Sequence, residues 1–171
     1  MNFNAGKFFG ILLFSSLLLS CAGQGRSIPV NVNNLFVSTF QNQSSESALE
    51  RILTDDVIQE FSADGRVEIV SRSDADAILR GSIIRYRNIP VVYNDQDIVE
   101  QFKVRMGISV SLIDPRTQET LWTQSDLFRE TTYSETQPPV ETESDAQERV
   151  SEQLARNVVT RAIDGWPYVE D

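Results

Sequence analysis

Between Gln101 and Leu112 the chain alternates without a fault. Phe102, Val104, Met106, Ile108, Val110 and Leu112 interleave with Gln101, Lys103, Arg105, Gly107, Ser109 and Ser111. Successive side chains of a β-strand point to opposite faces, so this period of two marks a strand buried on one face and open on the other. A chain carrying it must build a sheet and must supply something apolar to cover one side.

Two segments supply that cover. Leu49, Ile52, Leu53, Val57, Ile58 and Phe61 recur at steps of three and four, placing one apolar stripe on a helix that ends before Gly65. Ser47 with Glu50 three residues on is a capping-box pattern for its start. Ala146, Val150, Leu154, Val158 and Ala162 make a second stripe over 145–163, stopped by Gly165 and Pro167. The remaining strands are expected at Leu35 to Phe40, Val67 to Val70, Ala77 to Tyr86 and Leu121 to Tyr133. Gln41 to Glu46 reads as a polar turn, and a loop containing Pro90, Asp95 and Asp97 should follow Tyr86. Asp114 to Gln118 is a second turn, and Thr136 to Glu143, with Pro138-Pro139, an acidic loop. The first helix with its flanking strands makes a β-α-β unit with parallel strands, and the later strands a meander. The expected fold is α+β, a two-layer sandwich in which a mixed, twisted β-sheet of four to five strands carries two α-helices on one face. A single domain over 34–166 and a short tail, 167–171, account for the mature chain.

The N-terminus has a different design. A polar start with Lys7 is followed by an apolar or small run from Phe8 to Leu19, 12 residues long, and then Ser20. Crossing a bilayer takes about 20 apolar residues, so the run reads as a secretory signal over 1–20. Leu18-Leu19-Ser20-Cys21 resembles the bacterial lipobox, in which the cysteine receives a diacylglycerol thioether, becomes the first residue and is acylated on its amino group. Several acyl chains hold a protein on a bilayer without a spanning helix, so Cys21 is the expected lipid attachment and 21–33 the lipidated N-terminus and polar tether. Ala22 follows the cysteine, where an aspartate would favour retention in the inner membrane by resemblance to enterobacterial lipoproteins. The outer membrane is the expected destination.

Composition then excludes whole classes of function. With no histidine, the chain cannot run Ser-His-Asp or Cys-His catalysis or bind zinc through imidazole, and Cys21 is its sole cysteine. Asp55 and Asp56 are adjacent on a helix and point apart, so they cannot share a substrate as acid and base. Asp95 and Asp97 lack the Gly and Glu spacing of a calcium loop, and Gly23 and Gly25 lack the rest of a dinucleotide fingerprint. Nothing calls for an enzyme, a metal or a cofactor. A net charge of −10 argues against nucleic-acid binding. Against that acidic background, Arg80, Arg85, Arg87, Lys103 and Arg105 form a positive island, with only Asp95, Asp97 and Glu100 between them. Arginine grips phosphate and carboxylate with two prongs, which suits lipid phosphates or an acidic partner. A solvated strand face with salt bridges to nearby acids explains the island equally well, and alternation puts Lys103 and Arg105 on the helix-free side of the sheet.

Four stretches together carry a family resemblance. They are Asn34-Leu35-Phe36-Val37-Ser38-Thr39-Phe40 ahead of the first helix, Ala75-Asp76-Ala77-Ile78-Leu79-Arg80-Gly81-Ser82-Ile83, Val110-Ser111-Leu112-Ile113-Asp114 ahead of Leu121-Trp122, and Tyr133 before the closing helix. This order, over about residues 30 to 166, resembles the lipopolysaccharide-assembly lipoprotein family, LptE. The resemblance implies a lipid-anchored outer-membrane protein that assists assembly of a large β-barrel of the LptD type, plugs its lumen, and contacts lipopolysaccharide on its way to the surface. Phe40-Gln41-Asn42 and Ala75 to Gly81 also resemble small periplasmic lipoproteins of the CsgG-like or LpoB-like kind, which act in secretion pores or activate peptidoglycan synthases. Trp122 and the paired strands around it favour the first family.

Overall fold

The computed structural model describes residues 32–163. The expected signal segment, Cys21, most of the expected tether, and Gly165, Pro167 and the expected tail lie outside these residues. Within them the order is β1 (Asn34–Val37), β2 (Gln41–Asn42), α1 (Leu49–Asp64), β3 (Glu68–Ile69), β4 (Ala77–Tyr93), β5 (Val99–Ile113), β6 (Thr120–Tyr133) and α2 (Glu143–Ile163). The strands form one mixed sheet in the order β3-β1-β4-β5-β6, with β2 also paired to β4. β1 runs parallel to both β3 and β4, as a β-α-β unit demands, and β4, β5 and β6 are an antiparallel meander.

The alternating strand behaves as its pattern requires. Val104, Met106, Ile108, Val110 and Leu112 are at most 1% exposed and share one core with Leu49, Leu53, Val57 and Phe61 of α1 and Val150, Leu154 and Val158 of α2. Two polar ties fasten this layer. Tyr86 donates its hydroxyl to Glu143 at 2.6 Å and accepts from Gln147 at 3.0 Å, joining β4 to the start of α2. Burial and the Glu143 carboxylate push the Tyr86 phenol well above its ordinary range, keeping it a donor. Asn88 donates to the Tyr133 hydroxyl, and that ring stacks on Phe102 at 5.3 Å.

Several local expectations need correction. The first strand stops at Val37 rather than Phe40, because the chain leaves β4 there and rejoins it at Gln41, inside the stretch expected to be a turn. β4 does not give way to a loop after Tyr86. It runs through Pro90 to Tyr93, and irregular pairing beside Pro90, where Val91 is the extra residue, accommodates the missing N–H. The turn is Asn94 to Ile98, where the Asn94 side chain accepts from the N–H groups of Gln96 and Ile98.

The capping box forms on the other helix. α1 begins after Ala48 in a left-handed conformation with no side-chain cap, and Glu50 instead accepts from Asn42 at 2.9 Å. At α2 the Thr142 hydroxyl faces the Asp145 N–H at 3.3 Å, while Asp145 accepts from the Thr142 N–H at 2.7 Å. That N–H holds the Asp145 carboxyl below its usual range.

The long outer strand β6 is an edge, and edges invite pairing with other chains. Here arginines shield it. Arg149 donates to the Thr132 carbonyl at 2.9 Å and Arg129 to the Phe128 carbonyl at 2.8 Å, with two irregularities in register breaking the edge further.

Candidate functional site

With the helices on one side of the sheet, its other side is bare, and register assigns residues to it. Paired residues of neighbouring strands share a face. Arg80 pairs with Ser111, Arg85 with Gly107 and Arg87 with Arg105, while Lys103 and Arg105 pair with Thr132 and Glu130. All five basic residues of the predicted island therefore stand on the bare face, opposite Val104, Met106 and Ile108. Position parity along β4 alone would separate Arg80 from Arg85 and Arg87. One extra residue, Ile84, between the Ile83–Ile108 and Arg85–Gly107 pairs reverses the parity and brings them together.

The five differ in what they meet. Lys103 donates to Glu130 at 3.2 Å, and Arg105 lies 4.0 Å from the same carboxylate, with its guanidinium 4.1 Å from the centre of the Phe128 ring. Arg85 stands 3.7 Å from Asp126, which has φ 57° at the irregularity in β6. These pairs are a third or more exposed, so each is weak and screened, yet they neutralise much of the island's central and tip-side charge. Arg80 and Arg87 are exposed and have no carboxylate within 4 Å among the described residues. Both readings of the island thus apply, to different residues. Lys103, Arg85 and Arg105 belong to a salt-bridged strand face, whereas Arg80 and Arg87 present uncompensated charge.

The structure adds a feature for which the sequence offered no motif. Around Arg80 the bare face dips into an open hollow of about 370 Å³ lined by Ser38, Gln41, Arg80, Ser82, Ser109 and Ser111. Its cause is local. Between β1 and β2 the chain turns away, and Phe40 crosses to the helix side, where its N–H donates to the Thr54 hydroxyl at 3.0 Å. There the Phe40 ring covers Gly81, where an added Cβ would sit 2.1 Å from a ring carbon. The notch left in the sheet is floored by small residues. The one available sequence signal was the run of Gly107, Ser109 and Ser111 on the polar parity of β5.

The residues that carry the family resemblance are mostly structural. Asp76 accepts from the N–H groups of Asn33 and Asn34 at 3.2 and 3.0 Å, and Gly81 makes room for Phe40. Asp95 and Asp97 sit in the β4–β5 turn, and no cluster of metal-ligating side chains occurs among the described residues.

Comparison with known proteins agrees with this architecture. The family model for LptE, lipopolysaccharide-assembly, matches residues 32–162. That match decides between the two resemblances in favour of the first. No curated protein sequence matches the chain. Among solved structures, a Xanthomonas campestris protein is 13% identical with a TM-score of 0.58, over 81% of this chain and 90% of that one. PelC of Paraburkholderia phytofirmans, solved as a dodecamer, is 15% identical with a TM-score of 0.55, over 80% and 92%. A minor lipoprotein of Acinetobacter baumannii is 17% identical with a TM-score of 0.52, over 78% and 92%. At such identities the likeness is one of fold.

Proposed function

The chain belongs to the LptE family of lipopolysaccharide-assembly proteins, and from that premise we propose that it is a lipid-anchored outer-membrane lipoprotein that assists and plugs an LptD-type β-barrel. Its role is non-enzymatic: it handles lipopolysaccharide by contact. The anchor is Cys21, acylated after removal of residues 1–20, and no helix among the described residues is long and apolar enough to cross a membrane.

The observation that carries the reading, beside the family match, is the bare face. A sheet with one side sealed by helices and the other carrying basic and hydroxyl side chains, with Phe128 and Ile89 exposed among them, offers a broad amphipathic surface to a lumen wall and to anionic lipid headgroups. Arg80, Arg85, Arg87, Lys103 and Arg105 are the proposed contacts for lipopolysaccharide, with Arg80 and Arg87 leading because no internal acid offsets them. The test is copurification of the detergent-solubilised lipoprotein. Recovery of a large outer-membrane barrel, cross-linked through photoreactive side chains at Arg87 or Thr123 on the bare face, is the expected result. Recovery of a peptidoglycan synthase or a secretion pore in its place overturns it, as does normal membrane fractionation of Cys21→Ser for the anchor.

A further inference from the structure

We propose that the hollow around Arg80 is a binding site for an anionic saccharide, a sugar unit carrying a phosphate or carboxylate group. The proposal rests on the lipopolysaccharide reading only for the source of that sugar. Its basis is the convergence of side chains whose hydrogen-bonding groups have no partner within the described residues. The side chains of Ser38, Gln41, Arg80, Ser82 and Ser109 make no hydrogen bond or ion pair within the described residues, although they converge on one open space. Elsewhere on the same face Arg85, Lys103 and Arg105 are answered by Asp126 and Glu130, and Arg87, the other cation without an acid, has no such ring of hydroxyls around it. A lone guanidinium in a chain with 25 acids and 15 bases, left unpaired beside a ring of hydroxyls, is arranged for an oxyanion from outside.

The lining specifies more than charge. Hydroxyl and amide groups donate and accept, so they match the alternating hydroxyls of a sugar rather than a bare anion, which needs donors alone. Ile113 adds one apolar side chain to the lining, while its register partner Ile78 is buried at 1% exposure. A pyranose ring has one apolar surface. An open volume of about 370 Å³ suits one or two sugar units laid flat and excludes an acyl chain wanting an enclosed apolar slot. The hollow therefore reads the saccharide end of a glycolipid and leaves its acyl chains to other surfaces.

The test uses the full mature lipoprotein in detergent and isothermal titration. Titrants are a phosphorylated, de-acylated lipopolysaccharide core oligosaccharide, the same oligosaccharide after dephosphorylation, an oligogalacturonate and inorganic phosphate. Saturable binding of the phosphorylated core, weakened about tenfold or more by Arg80→Gln and by Ser82→Val with Ser109→Val, is expected. Arg51→Gln, on the helix layer away from the bare face and paired with Asp55, should change it by less than about threefold. Preference for the phosphorylated core over the galacturonate assigns the source to lipopolysaccharide, and the reverse assigns it to an acidic polysaccharide. Equal binding of the dephosphorylated core removes the role of Arg80, and equal binding of inorganic phosphate removes the sugar. Either overturns the proposal, as does an unchanged affinity in Arg80→Gln. Barrel copurification is scored separately. A wild-type chain that recovers the barrel but binds no saccharide sinks the hollow alone, whereas loss of the barrel with saccharide binding intact sinks the plug alone.

Discussion

The two sides of β5 share one backbone and almost nothing else. Its even-numbered residues from Val104 to Leu112 are sealed under two helices, while the odd-numbered ones, Lys103 to Ser111, are small, hydroxylic or cationic and, apart from the buried Gly107, partly exposed. On the sealed side identity matters through volume and polarity, because every side chain there is enclosed by others. On the bare side it matters through what each group finds across the strand. The lesson is that one strand serves as core and as contact surface at once, so a change of one position in sequence moves a substitution from stability to recognition.

The most severe way to break this contrast is to place the same carboxylate on neighbouring residues. Ile108→Asp buries an unpaired charge at a position that is 0% exposed and should destabilise by about 4–5 kcal/mol, a large part of the roughly 5–15 kcal/mol that holds a native domain. Ser109→Asp faces the open side and should cost less than about 1 kcal/mol, while placing a negative charge beside Arg80 and abolishing anion binding in the hollow. Chemical denaturation of both, followed by titration of the second, checks the pair. Similar stabilities for the two variants would dissolve the distinction between faces.

Next in size comes Gly81→Ala. The added methyl would meet the Phe40 ring at 2.1 Å, and Phe40 is only 2% exposed and held through its N–H by Thr54. Overpacking of this kind costs about 1–3 kcal/mol. Adding Phe40→Leu should recover part of that loss, and a double-mutant cycle reporting no coupling between positions 40 and 81 would show that the glycine is there for another reason.

These two positions also mark where reading the sequence succeeded and where it stopped. Ile108 was legible because period two is a backbone property, and both helices were legible because their stripes were long. The extent of β4 was not, since Pro90 usually ends a strand and only pairing with Phe102 holds it in this one. The cap of α1 was misassigned, though its start was not, because Glu50 had a rival partner in Asn42, 8 residues away. Of the site, all five cations were legible as a cluster. Their common face depends on one extra residue at Ile84, and their division into paired and unpaired depends on Glu130 and Asp126, a strand away in space and distant in sequence. The hydroxyl-lined hollow needs β2, β4 and β5 together with the break between β1 and β2, which no local pattern encodes.

A gentler change sharpens the division among the cations. Glu130→Gln removes the carboxylate shared by Lys103 and Arg105, leaving Arg105 to its Phe128 contact. Because the pairs are a third or more exposed, stability should fall by less than about 1 kcal/mol. The bare face gains one net positive charge, so affinity for lipopolysaccharide micelles should rise several-fold in low salt and lose that gain near 0.5 M salt, where the Debye length is only about 4–5 Å. An affinity unchanged at low salt would mean that Lys103 and Arg105 take no part in contact with the lipid.

The smallest effect lies on the sealed side, at a polar flaw between the two helices. Between α1 and α2, Asp56 Oδ2 and Ser151 Oγ are both buried without a hydrogen-bond partner. Burial pushes the Asp56 carboxyl above its ordinary range, and the like charges of Glu152, Asp55 and Glu148 add to this, while the nearby Ser151 hydroxyl offsets part of it. A carboxyl raised in the folded state penalises folding in its charged form. That penalty is absent below the unfolded value of about 3.9 and grows as pH rises through the higher folded value. Asp56→Asn should therefore stabilise at pH 7, by about 0.5 kcal/mol or roughly 2 °C in Tm, a small gain because the side chain is only half buried and solvent screens it. The gain should shrink as the wild-type carboxyl takes up its proton and vanish near pH 3, where the two side chains carry the same charge. Thermal melts of both proteins from pH 7 to pH 3 measure it, and a difference in Tm that stays constant across that range would assign the change to helix packing rather than to the charge on Asp56.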